Sequence, residues 1–190
     1  MLLGRLGMAV GLILCASCGG GGGGHSRPAA LSYTCADSAV GANVVALACA
    51  GQAVTDVWVI ELDLGGPTTS HDIAGFNLDV LFDPTSVGYV GGSATVQGSF
   101  LAADGDTPLL SARIASNDPG RLIIGVRRTK SAGVQGSGGT NPILRFSLRA
   151  NALVTFGPMQ VKFENAEAVD SSDSPIGSVA FSEQLLLGVQ

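Results

Sequence analysis

From Phe76 to Phe82 the chain alternates, with Phe76, Leu78, Val80 and Phe82 on one side and Asn77, Asp79 and Leu81 on the other. This period of two predicts a strand with one buried face, stopped by Asp83-Pro84, because proline cannot donate to a sheet ladder. Upstream, Val54 to Leu64 carries Val57, Val59, Ile60, Leu62 and Leu64 with acids between them and ends at Gly65-Gly66-Pro67. Further strands are expected at Val87 to Val90, Thr95 to Ala102, Leu109 to Ala115, Arg121 to Arg127, Ile143 to Arg149, Met159 to Ala168 and Val179 to Leu187. No long helix is expected, and Gly133 to Gly139 reads as a flexible connecting loop without the Lys-Ser/Thr ending of a phosphate loop. Eight or nine short strands separated by turn signals predict an all-β protein, a β-sandwich or jelly roll.

The first residues follow another pattern. Arg5 gives a positive start, Leu6 to Leu14 an apolar middle and Ala16-Ser17 small residues before Cys18, which is how an export signal reads. The apolar stretch is too short to span a bilayer, which takes about 20 residues. The ending Cys15-Ala16-Ser17-Cys18 resembles the lipobox of bacterial lipoproteins, although Cys15 stands where that family usually has Leu. The resemblance implies a signal peptide over 1–17 and lipidation of Cys18, with simple secretion or an uncleaved anchor as alternatives. Gly19 rather than Asp follows Cys18, which by resemblance to enterobacterial sorting points to the outer membrane of the cell envelope. Residues 18–31, with six consecutive glycines, read as a tether reaching roughly 20 Å. Residues 32–52 read as a small N-terminal clip, and 53–190 as the folded domain.

Composition narrows the function classes. The chain has 190 residues, 10 Lys and Arg against 15 Asp and Glu, and only 13% charged residues. Nucleic-acid binding needs clustered cations, and the only dense patch is Arg127-Arg128-Lys130. Cys35 and Cys49 are expected to pair as a disulfide in an oxidising exported compartment, two free thiols being the alternative.

Chemistry for catalysis is thin, and no enzyme activity, metal or cofactor is expected. In Ser70-His71-Asp72 the residues are adjacent and cannot converge on one atom as a triad must. Asp104-Gly-Asp106 and Asp170-Ser-Ser-Asp173 offer oxygen ligands suited to calcium but lack EF-hand spacing, and read as solvated turns. Trp58 and Tyr89 are the aromatic candidates for a sugar platform, with core packing the alternative for Trp58.

The segment Ile73-Ala-Gly-Phe-Asn-Leu-Asp-Val-Leu-Phe-Asp-Pro84, followed by Val87-Gly-Tyr-Val90, resembles the early strands of cohesin domains. Asp118 to Val126, the Gly/Ser-rich loop and Pro142 to Leu148 resemble the cohesin middle, and Phe163 to Asp170 with Pro175-Ile176 its last loop and strand. The resemblance implies a nine-stranded jelly-roll sandwich over about 53–190, related in fold to carbohydrate-binding modules. It also implies docking of a dockerin-like partner, such as a polysaccharide-degrading enzyme, through one sheet face. Asn77, Asp79 and Leu81, with Ile123 and Arg127 on a second strand, are the expected partner contacts; a merely solvated face is the alternative. Two other readings are direct attachment to polysaccharide and a structural subunit of an envelope complex.

Overall fold

The computed structural model describes residues 31–37, 39–50, 56–151, 155–182 and 185–190. The signal peptide, Cys18 and nearly all of the tether lie outside them. The described residues form eleven strands in two sheets. The strands are β1 (Tyr33–Ala36), β2 (Val44–Cys49), β3 (Val57–Gly66), β4 (Gly75–Leu81), β5 (Val87–Tyr89) and β6 (Leu109–Ala115). They continue as β7 (Asp118–Arg127), β8 (Gly139–Ala150), β9 (Phe156–Val169), β10 (Ala180–Ser182) and β11 (Leu185–Val189). One sheet has the order β1-β11-β9-β4-β7-β6 and is antiparallel throughout. The other has the order β10-β2-β3-β8-β5, with β10 and β2 parallel.

The alternation in the sequence sets the core. Phe76, Leu78 and Val80 of β4, Leu122, Ile124 and Val126 of β7, Ile60, Leu62 and Leu64 of β3, and Leu144, Phe146 and Leu148 of β8 are buried in one cluster. Trp58 is 1% exposed, packs beside Tyr33 and Phe156, and donates from Nε1 to the Thr34 carbonyl at 3.0 Å. It is therefore a core residue and offers no surface to a sugar. Tyr89 is half-buried against the same cluster.

Three expectations are revised. Residues 32–52 are no separate clip: β1 edges the six-stranded sheet, β2 lies inside the other, and Val45 and Leu47 are core residues. Cys35 of β1 and Cys49 of β2 are joined by a disulfide that links the two sheets. The strand expected over Thr95–Ala102 is reduced to one bridge from Thr95 to Arg145, followed by a 3-10 helix, Phe100–Gly105. Gly98, at φ 79°, turns the chain, and the Ser99 side chain accepts from the Leu101 amide at 3.2 Å to cap the helix. The strand expected over Val179–Leu187 is two, because the chain leaves the second sheet after Ser182 and joins the first at Leu185. These differences account for eleven strands against the nine segments expected from the sequence.

Asp104-Gly-Asp106 is likewise no solvated turn. Asp106 is buried and accepts from the Thr129 and Lys130 amides at 3.1 Å and 3.3 Å. The Arg128 side chain, 0% exposed, pairs with Asp104 at 2.9 Å and Asp106 at 3.4 Å. The pairing pins the 3-10 helix to the segment after β7. Lys130 also pairs with Asp104, at 3.3 Å, so the basic patch seen in the sequence is consumed internally. Asp72 similarly ties two loops together, accepting from Ser171 Oγ at 2.6 Å and the Gly133 amide at 2.7 Å.

Candidate functional site

The outer face of the six-stranded sheet gathers the residues singled out on β4 and β7. Antiparallel register lays them in rows across the strands. One row runs Lys162, Leu81, Arg121 over β9, β4 and β7. The next runs Glu164, Asp79, Ile123, Arg113 over β9, β4, β7 and β6. A third is Glu167, Asn77, Gly125, Ser111, and a fourth brings Arg127 beside Leu109. The face thus includes all five expected residues: Asn77 is exposed, while Asp79, Leu81, Ile123 and Arg127 are half-buried.

The polar groups are held by partners far away in sequence. Arg121 donates to Asp79 at 2.7 Å and to Asp118 at 3.3 Å, and it also pairs with Glu164. These carboxylates, the Asp79 hydrogen bond foremost, raise the pKa of the Arg121 guanidinium and fix its charge. Asn165 donates from Nδ2 to Asp79 at 2.9 Å, and Asn77 donates to Glu167 at 3.1 Å. Asn165 sits in a bulge: the step from Asn77 to Asp79 on β4 faces the longer step from Glu167 to Glu164 on β9. Its φ of 48° is left-handed, a conformation asparagine tolerates better than most residues. A bulge of this kind re-aims a side chain, here the Asn165 amide toward Asp79. Arg127 pairs with Asp173 from the loop after β9.

Apolar groups complete the surface. Leu109, at 67% exposed, has the largest exposure among the large apolar residues described, and Ile123 lies within the rows. Leu109 and Arg113 are not among the contacts expected from the sequence, yet their phase on β6 is visible there: Leu110, Ala112 and Ile114 pack inward, so Leu109, Ser111 and Arg113 point out. Arg121, Glu164 and Asn165 were invisible as a group, because only pairing brings together residues that stand 42 and 86 positions from Asp79.

The opposite sheet carries one anomalous group. Asp63 of β3 is 5% exposed, and its Oδ1 has no hydrogen-bond partner. Its cross-strand neighbours Ala46 and Pro142 bring no side-chain donor, and nearby Arg145 pairs with Glu61 at 2.6 Å. Burial, reinforced by repulsion from Glu61, pushes the Asp63 carboxyl up to about 6. No cluster of three or more metal-ligating side chains occurs among the described residues.

No protein-family model matches the sequence, and no curated protein matches it either. Solved structures do. A cohesin of a type II cohesin–X-dockerin complex from Acetivibrio cellulolyticus superposes with a TM-score of 0.55 at 12% identity, covering 73% of this chain and 93% of that one. A type II cohesin domain from the cellulosome of the same organism gives 0.53 at 12% identity, covering 77% and 93%. The sixth cohesin of scaffoldin B from that organism, solved in complex with a Cel5 dockerin, gives 0.51 at 11% identity, covering 74% and 94%. The chain therefore has the all-β sandwich fold of cohesin modules.

Proposed function

We propose that this chain is a non-catalytic binding module that docks a dockerin-like protein through the outer face of its six-stranded sheet. The observation that carries the reading is the combination on that face of exposed Leu109 and half-buried Ile123 with a prearranged polar network around Asp79 and Arg121. Such a surface resembles a protein interface, in which apolar anchors are ringed by polar groups. Because Arg121 and Asn165 already hold Asp79, little side-chain freedom is lost on association. Two of the similar cohesins come from complexes with dockerins, which favours the same class of partner. A dockerin-bearing polysaccharide-degrading enzyme is the partner we favour within that class. Asn77, Asp79, Leu81, Ile123 and Arg127 remain the proposed contacts, with Leu109 and Arg113 added.

The test is calorimetric titration of the chain with a panel of dockerin modules, beside sedimentation with insoluble polysaccharides. Binding to a dockerin that is lost with Leu109→Arg supports the reading; binding to polysaccharide alone overturns it. The reading extends to the leader, where Cys18 would carry the lipid that holds the module on a membrane. Cys18→Ser should move the protein from the membrane fraction to the soluble one, and retention in the membrane fraction refutes the anchor.

A further inference from the structure

The outer face is electrically lopsided, and the lopsidedness runs across the strands. Around Arg121 three carboxylates, Asp79, Asp118 and Glu164, stand against two cations, Arg121 and Lys162, and Glu167 adds a fourth carboxylate two rows further along β9. Glu167 receives the Asn77 amide, and neither it nor Lys162 takes part in the ion pairs found among the described residues. At the other edge, on β6, the exposed Arg113 also belongs to none of those pairs. Glu164 and Arg113 share a row and are separated by three interstrand steps, about 14 Å at ~4.8 Å each.

Between these poles the surface dips. The row of Asn77, Gly125 and Ser111 has short side chains or none, while Ile123 with Arg113 stands on one side and Arg127 with Leu109 on the other. Those flanking rows are four residues apart along β7, about 13 Å. Gly125 is not needed for the backbone: a Cβ built there would come no closer than 3.5 Å to Asn77 Oδ1, an ordinary contact. Its lack of a side chain leaves the middle of the dip open.

Building on the docking face proposed above, we propose that the partner is a bipolar protein segment lying in this dip across β4, β7 and β6. It sets a carboxylate over Arg113 and, on β9 three interstrand steps (about 14 Å) across the strands, an ammonium or guanidinium over Glu167. Small or apolar groups between them rest on Gly125 and against Ile123, with Leu109 on the far side of the dip. Side chains of one polypeptide supply both charges and the apolar middle, whereas a neutral glycan supplies neither charge. Complementary charges of this sort set partner choice and the rate of encounter more than raw affinity.

The experiment uses a displayed library of dockerin modules randomised at exposed positions, selected against the full chain. Selected binders should be lost on Gly125→Leu, with circular dichroism and thermal melting unchanged. They should weaken tenfold or more on Arg113→Glu and on Glu167→Lys. Selection against the chain carrying both reversals should return binders with the two charges exchanged. Binders blocked by Gly125→Leu yet indifferent to either charge reversal overturn the bipolar partner and leave the docking face standing. A library that yields no binder sensitive to Gly125→Leu overturns the face and the bipolar partner together.

Discussion

Asp63 makes the stability of this sandwich depend on pH in the opposite direction from that of a salt-bridged protein. Its carboxyl titrates at about 6 in the folded chain, against 3.8 when unfolded. Between those values the native state holds a proton that the unfolded chain has released, so raising the pH favours unfolding. A shift of this size corresponds to roughly 3 kcal/mol, lost as pH rises from about 4 to about 7 and constant above that. Asp63→Asn removes the titration while keeping the shape of the side chain. Urea unfolding at steps between pH 4 and 8, monitored by Trp58 fluorescence, should show the stability difference between variant and parent moving in the variant's favour across that range. Comparing the two proteins cancels the titrations they share. Parallel profiles would refute the reasoning and mean that Asp63 is better solvated than its burial implies. Asp72, Asp83 and Asp104 act in the other sense. Their carboxyls are held below the usual range, chiefly by hydrogen bonds from Ser171, Thr85 and Arg128 respectively, and their contributions are lost as pH falls through those lowered values.

Leu78→Ala should cost about 2 to 5 kcal/mol in denaturant unfolding, because the side chain is buried between the sheets; a change near zero would mean that β4 faces the other way. Arg128→Met should cost about 3 to 5 kcal/mol, since it leaves the buried Asp106 without its cation, and an unchanged melting curve would show that the pair is not formed. Replacing Cys35 and Cys49 together by Ala should lower stability by about 3 kcal/mol in the absence of reductant, the chain-entropy value for a closed loop of this length. Equal stability of that variant and the oxidised parent would argue against the bond.

The alternation of β4 was legible because a half-buried strand must repeat every two residues, and Phe76, Leu78 and Val80 do so without interruption. β2 was harder to place. Val44 to Ala50 is apolar without a clear alternation, so neither its strand character nor its place inside a sheet could be read locally. The passage from β10 to β11 is not legible in the sequence, because period two says which face a residue takes but not which sheet. Asn77 and Asp79 could be placed on an outer face from their phase alone. The network that holds them depends on a bulge in β9 and on a guanidinium from β7, and both are properties of register rather than of local pattern.

The disulfide between β1 and β2 also decides how the module carries mechanical load. β1 is an edge strand whose one ladder neighbour is β11, so a pull applied at Leu31 would open that ladder rung by rung, the weakest way to break a sheet. Peeling can proceed through Tyr33 and Thr34 and then meets Cys35, where the covalent bridge passes the force to β2. β2 is flanked by β3 and β10, and tension along it is resisted by its neighbours in shear, many hydrogen bonds at once. The bridge turns a zipper into a lap joint, and under tension the sandwich should yield as a whole or not at all.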